Sequence, residues 1–190
     1  MESLKITTKN PVSSIERIAD ELMNQYLLQI NNQQYRIAEL EFYVHNAGHP
    51  DCYVHKHELQ QTSGQWYFHG SGIDITFGDK NFHGGILLRA LMKWPNEDQY
   101  IYGPLNLLTE IFACFGTIKA HAVNFGLIAS DLKKEIVYPA PRVGLSDKSP
   151  EFRDRLYRFF IYPKQKHADK TKIVEAIGDK YPDINEVIWG

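Results

Sequence analysis

Cysteine is scarce. The 190 residues hold two, Cys52 and Cys114, far apart and in no CxxC pattern, so a disulfide scaffold or zinc ribbon has no support and reduced thiols are expected. No stretch approaches the roughly 18 uninterrupted apolar residues of a membrane span. The opening MESLKITTKNP lacks the apolar core of a signal peptide, and a soluble cytoplasmic protein without a membrane partner is expected. Gly and Pro number 13 and 9, too few for a low-complexity or disordered chain. A charge excess is also lacking. The balance of 21 Lys+Arg against 23 Asp+Glu gives a net charge of −2, which argues against a grip on a long tract of phosphate backbone. What is present, 43% hydrophobic and 13% aromatic residues, suits one globular domain over residues 1–190 with a single core.

Charge is unevenly placed. Residues 142–172 hold 9 basic side chains against 4 acidic ones, with Arg142, Arg153, Arg155, Arg158, Lys164 and Lys166 interleaved with Phe152, Tyr157, Phe159 and Tyr162. Such a stretch reads either as a phosphate-facing patch or as an ordinary solvated surface.

Periodicity gives the elements. Ile15, Ile18, Ala19, Leu22, Met23 and Tyr26 recur at helical spacing after a Ser13-x-x-Glu16 capping box, predicting a helix over about 14–28. Residues 36–44 alternate, with Ala38, Leu40, Phe42 and Val44 on one side, so Glu39, Glu41 and Tyr43 share the other face of a strand. The polar, histidine-rich run 46–63 reads as a long loop. Strands are expected at 65–69, 73–77 and 85–91, joined by glycine-rich turns. Gly103-Pro104 opens a second helix with Leu105, Leu108, Ile111, Phe112 and Phe115 as its apolar face, ended by Gly116. Short extended segments at 135–138, 140–143 and 156–162 and a terminal helix over 172–180 complete the pattern. The expected fold is α+β, with a curved, mainly antiparallel sheet flanked by helices.

Two constellations carry chemistry. Glu39 and Glu41 on one strand face incur desolvation and mutual repulsion unless partners compensate. They are either a functional carboxylate pair, one acting as general base toward water beside the flat ring of Tyr43, or two solvated side chains on an exposed face. Arg89, inside the apolar run Ile86-Leu87-Leu88-Arg89-Ala90-Leu91, would find its natural partner in one of them if buried. Six of the eight histidines, His45, His49, His55, His57, His69 and His83, fall within 39 residues. His49, Cys52, His55 and His57 offer donors for Zn²⁺, though their spacing matches no strong zinc motif. A loop that orients a substrate through imidazole hydrogen bonds is the other reading.

Several stretches in order resemble the alkyladenine (methylpurine) DNA glycosylase family. Arg36-Ile37-Ala38-Glu39-Leu40-Glu41-Phe42-Tyr43 looks like its strand with a Glu-x-Glu-x-Tyr motif, and Gly64-Gln65-Trp66-Tyr67-Phe68-His69 is similar to the next core strand. The run 85–91 with Arg89, the helix start Gly103-Pro104, and Pro141-Arg142-Val143-Gly144 with Leu156-Tyr157-Arg158-Phe159 follow in family order. The resemblance covers about residues 36–162. It implies a hydrolase of base excision repair that cleaves the N-glycosidic bond of alkylated or deaminated purines in damaged DNA, with Glu41 activating water for attack on C1′. It further implies that Tyr43 and His69 sandwich a flipped base, that His55 (or His49 or His57) hydrogen-bonds near the substrate, and that Asp74 stands where a family asparagine discriminates among purines. Glu39 and Arg89 would complete the substrate site, Arg142, Arg153, Arg155 and Arg158 would face DNA phosphates, and neither metal nor organic cofactor is required.

The sequence departs from the family between His69 and Ile73, where Gly70-Ser71-Gly72 replaces a longer segment bearing the aromatic wedge that fills the duplex after base flipping. With Asp74 and the low net charge, this leaves a second reading, a protein that binds or hydrolyses a free nucleobase, nucleoside or other small planar ligand. A metalloprotein and a catalytically silent interaction domain are the remaining alternatives.

Overall fold

The computed structural model describes residues 11–119 and 122–189. The first helix, α1 (Pro11–Gln25), buries Ala19 together with Ile15, Ile18, Leu22 and Met23, the four larger side chains each worth roughly 1.5–3 kcal/mol against exposure. Ser13, expected as its cap, lies inside the helix. The leader reading rests on residues 1–10, which are outside the described residues. The helix stops three residues short of the predicted end because Tyr26–Ile30 forms strand β1. That strand pairs with neighbours on both edges, Leu28 lying opposite Tyr35 on one side and Leu127 on the other. Two ladders of backbone hydrogen bonds outweigh a helical spacing that local sequence alone would extend.

A turn at Asn31-Asn32 leads into the long strand β2 (Gln33–Asn46). The next elements are β3 (His49–Pro50), a single 3₁₀ turn at Glu58–Gln61, β4 (Trp66–His69), β5 (Gly72–Thr76), β6 (His83–Trp94) and β7 (Tyr100–Tyr102). Helix α2 (Pro104–Ala113), β8 (Phe125–Ala129), β9 (Tyr138–Ala140), α3 (Pro150–Arg153), β10 (Arg158–Phe160), α4 (Lys170–Ile177) and α5 (Ile184–Val187) complete the order. The segments β1, β3, β7, β8, α3 and α5 are additions to the sequence reading.

All these strands join one sheet, paired antiparallel throughout, with the main path β4-β5-β6-β2-β1-β8. β10 and β3 also pair with β2, and β7 pairs with β6. β2 and β6 therefore form the long central pair, and different short strands occupy successive parts of their outer edges. Register shifts between Ile37 and Leu40 bend this central pair, as bulges do. The product is an α+β fold, a single domain whose antiparallel sheet curls into a half-barrel and carries a few helices.

The main core lies on one face of β2, where Leu40, Phe42 and Val44 pack with Ile73, Ile86, Leu88 and Phe159. A smaller apolar cluster seats α4 and α5 on β9 and β10 through Ala140, Phe160, Ile173, Ile177 and Ile184. In α2, Leu107 and Ile111 are buried whereas Leu105 and Phe112 are exposed, so its buried face is rotated from the expected one. Gly103 starts α2 at φ 95°, a conformation that a side chain would strain.

Candidate functional site

Residues directly opposite on antiparallel strands share a face. Arg158 of β10 lies opposite Glu41 of β2, Glu41 opposite Leu87 of β6, Leu87 opposite Asp74 of β5, and Asp74 opposite Tyr67 of β4. Five strands thus set one transverse row on the face away from the main core. One step along β2, Tyr43 lies opposite Gly85, whose missing side chain leaves room for Asp74 and Gln60. A cavity of about 250 Å³ opens beside this row. Its walls include Tyr43, Tyr53, His55, His69, Asp74 and Arg89, with Gln60, Val143 and Gly144 also contributing.

Glu39 and Glu41 are both fully buried, which removes the reading of a solvated strand face. Glu41 accepts a hydrogen bond from the Val143 backbone N–H at 2.7 Å and another from the Tyr43 hydroxyl at 2.8 Å, and Arg89 Nε stands 3.4 Å from its Oε1. All three partners line the cavity, so Glu41 sits directly beneath its floor. Burial beside this carboxylate pushes the Tyr43 phenol well above its ordinary value, and the hydroxyl remains a donor.

Glu39 is one step deeper. Arg89 Nε donates to its Oε1 at 2.9 Å, His167 Nδ1 contacts Oε2 at 2.6 Å, and Arg158 lies 3.8 Å away. Burial alone would raise its pKa. The His167 hydrogen bond and the Arg158 and Arg89 charges outweigh that and hold it below the usual glutamate value. His167 Nε2 faces the Tyr162 carbonyl at 3.1 Å. His167 therefore bridges the Glu39 carboxylate and the Tyr162 carbonyl. In Arg89, burial opposes the charge but the two glutamates dominate and raise its pKa.

The opposite wall is built on Asp74, which is 2% exposed. His69 Nε2 approaches Asp74 Oδ1 at 3.0 Å, and the Gln60 amide donates to Oδ2 at 3.4 Å. His69 Nδ1 accepts from the Ser71 N–H at 3.2 Å, which places the ring proton on Nε2, toward Asp74. His55 meets His69 edge-to-face at 4.5 Å, and Tyr67 is 4.9 Å from His69. Burial, followed by the charges of its histidine neighbours, depresses the His55 pKa despite Asp74 nearby.

Of the expected residues, Tyr43, His55, His69, Asp74 and Arg89 meet at this cavity, with Glu41 beneath its floor and Glu39 behind Arg89. The expected phosphate face divides. Arg142 and Arg158 have fully buried side chains and cannot meet a solvated backbone. Arg142 pairs with buried Asp51 at 2.8 Å, donates to the carbonyls of Phe42 and Phe152, and lies 4.6 Å from the Tyr43 ring centroid. It supports the wall from behind. Arg153 and Arg155 are partly exposed but paired with Asp147, Asp154 and Glu151. The zinc reading also fails to assemble. His49 is buried between Phe152 and Tyr157, while Cys52 is exposed. Among the described residues no three His, Cys, Asp or Glu side chains gather as a metal site, and no helix is long and apolar enough to cross a membrane.

Sequence reasoning missed Tyr53, Gln60 and His167. Tyr53 and Gln60 lie in the aperiodic loop, and His167 stands 128 positions from its partner Glu39, where no local spacing links them. Val143 was part of a motif but not assigned a role, since it acts through its backbone.

No family model matches the chain. A curated relative, "Uncharacterized protein L759" of Acanthamoeba polyphaga mimivirus, is 31% identical over 196 aligned positions that cover 83% of this chain and 90% of the relative. At that identity and coverage, the chain belongs to the same family as this mimivirus protein.

Proposed function

We propose that this protein is an N-glycosidic hydrolase acting on damaged purines, built on the alkyladenine DNA glycosylase fold, with Glu41 as the base. One observation carries the reading: the three groups that hold the Glu41 carboxylate, Tyr43, Arg89 and Val143, all line the cavity whose other walls are His69 and Asp74. Glu41 Oε2 accepts one protein hydrogen bond and keeps a lone pair for a water entering the seam between these groups. In the step proposed, the water oxygen forms a bond to C1′, its proton passes to Glu41, and the bonding pair of the glycosidic C–N bond leaves with the purine. Alkylation makes that purine a good leaving group. Tyr43 and His69 offer ring faces for the base, and Arg89 holds the orientation of Glu41 by its charge.

The direct test is release of free base and formation of abasic sites in oligonucleotides carrying alkylated adenine or hypoxanthine. Wild-type protein should release base, and Glu41→Gln should lower the rate by about 100-fold or more, the scale of a general base. An unchanged rate in Glu41→Gln removes the mechanism.

A second reading, hydrolysis or binding of a free nucleoside or base, is favoured by the exposed face. The turn between β4 and β5 is Gly70-Ser71 with no aromatic side chain, and two of the four arginines expected to meet phosphates are buried. Parallel assays on duplex, single-stranded and mononucleoside substrates separate the two. A rate retained only on nucleosides favours the second.

A further inference from the structure

We infer that a second copy of this chain docks on an aromatic face built by α2 and β4, forming a two-fold dimer. Helix α2 is apolar on two sides. Leu107 and Ile111 join the main core, whereas Leu105 and Phe112, seven positions apart and so on one side of the helix, are 58% and 52% exposed. Phe68 of β4, 42% exposed, stacks on Phe112 with ring centroids 6.0 Å apart. Phe112 in turn meets Phe115 edge-to-face at 5.3 Å, and Phe125 of β8 lies 6.1 Å from Phe115 and 4.5 Å from Trp66. The exposed rings therefore rest on a packed aromatic base. Ile118 and Val123, in the chain between Phe115 and Phe125, are exposed as well. Among the described residues, the other large hydrophobic side chains as exposed as these five are Ile136 and Trp189.

Charge and area select the occupant. Residues 65–72 and 104–130, which frame the face, hold two charged side chains, Glu110 and Lys119, where the chain's overall 23% would give about eight. Glu110 accepts a hydrogen bond from the buried Tyr35 hydroxyl at 2.6 Å, so it is held toward β2. Aromatic enrichment with loss of charge is the signature of an interface core. A two-fold dimer sets a face against itself and brings each charge near its own duplicate; a face almost without charge meets that condition, and it offers a partner recognised by charge nothing to pair with. The five exposed side chains present on the order of 500 Å² of apolar surface. A dimer interface of standard size buries about 800 Å² per partner, roughly 60% of it apolar, so the face is large enough. β4 also ends the main sheet path and carries neither lysine nor proline, the residues that guard an open edge. Phe68 alternates with Tyr67 and His69 along β4, which puts this face on the other side of the strand from the His69 wall of the cavity. The dimer therefore leaves that wall free, and the inference does not depend on what the cavity binds.

The experiment is sedimentation velocity on the full chain across about 1–100 μM, a range that brackets the micromolar association such an interface supports. Wild-type protein should sediment at twice the chain mass at the upper end and dissociate on dilution. Leu105→Glu and Phe112→Lys, each placing a charge opposite its own copy or against an apolar ring, should weaken the dimer by about 30-fold or more, the scale of an interface hot spot. Ile136→Lys, exposed but outside this face, should leave association unchanged. A wild-type monomer at every concentration overturns the inference, and a monomer that co-floats with phosphatidylcholine vesicles assigns the face to a lipid surface in its place. A dimer that survives both α2 substitutions, or that Ile136→Lys disrupts, also overturns it by locating the contact elsewhere. The wild-type dilution series needs no variant, and thermal melting of the two α2 variants shows whether lost association comes from a folded chain.

Discussion

His167 Nδ1 stands 2.6 Å from Glu39 Oε2, joining the segment before α4 to the middle of β2 through a contact from which solvent is excluded. Arg89 Nε in turn stands 2.9 Å from Glu39 and 3.4 Å from Glu41, so His167 is two contacts from the cavity.

Replacing His167 by Ala leaves Glu39 buried with less compensation. We expect a loss of about 3–5 kcal/mol of stability, as when one partner of a buried pair is removed, measured by urea unfolding at neutral pH. The depressed pKa of Glu39 fixes the pH behaviour. Its stabilising contribution is present above the ordinary glutamate value and is lost as pH falls through the lower folded-state value. Without His167 that folded value rises, so acid unfolding should begin at higher pH in the variant. An unchanged acid limb contradicts the assignment.

The arginines offer a contrast of burial. Arg142→Met strands buried Asp51 and should cost about 3–5 kcal/mol. Arg155→Ala breaks a pair whose side chains are 33% and 67% exposed and should cost less than about 1 kcal/mol. If the protein binds DNA, Arg155→Ala should reduce the slope of log affinity against log salt by up to about 1. Arg142 should leave that slope unchanged in any variant that stays folded.

Gly85→Ala should damage the site selectively. The added methyl overlaps Asp74 and Gln60, and overpacking costs about 1–3 kcal/mol. Ligand affinity should fall with it, whereas Gly126→Ala on the far strand β8, where a Cβ meets nothing within 4 Å, should do neither. Paired melting curves and titrations of the two variants check this.

Stability should also weaken modestly in weak acid because of His49. Burial, then the charge of Arg155, lowers its pKa from 6.5. As pH falls below that value the unfolded chain takes up a proton that the folded protein refuses, so stability declines until the folded-state value is passed. Chemical unfolding repeated across this window should show the decline, and His49→Gln should flatten it.

The sequence made some of this arrangement readable and hid the rest for definite reasons. The alternation of Ala38, Leu40, Phe42 and Val44 against Glu39, Glu41 and Tyr43 is a local pattern, and it placed the two acids and the ring on one face. It could not say whether that face met water, because the residues that cover it, Val143, Arg158 and His167, come from more than 100 positions away. The same distance misled the reading of the basic stretch. Spacing shows that arginines cluster, but only the packing of β10 against β2 shows Arg158 turned inward. The helix 14–28 was overextended because Leu27 and Leu28 keep helical spacing while their backbones are claimed by β2 and β8.

β2 is bordered along most of both edges, by β6 on one side and by β1, β10 and β3 in turn on the other. Glu39 and Glu41 therefore ride on backbone that cannot fray locally, and amide exchange there should be slow enough to track global opening. The mouth is made differently, from the 51–65 and 143–149 segments, whose irregular backbone tolerates insertion and drift. Evolution can retailor what enters this cleft by editing its rim, while the acids below stay anchored to the slowest-opening part of the molecule.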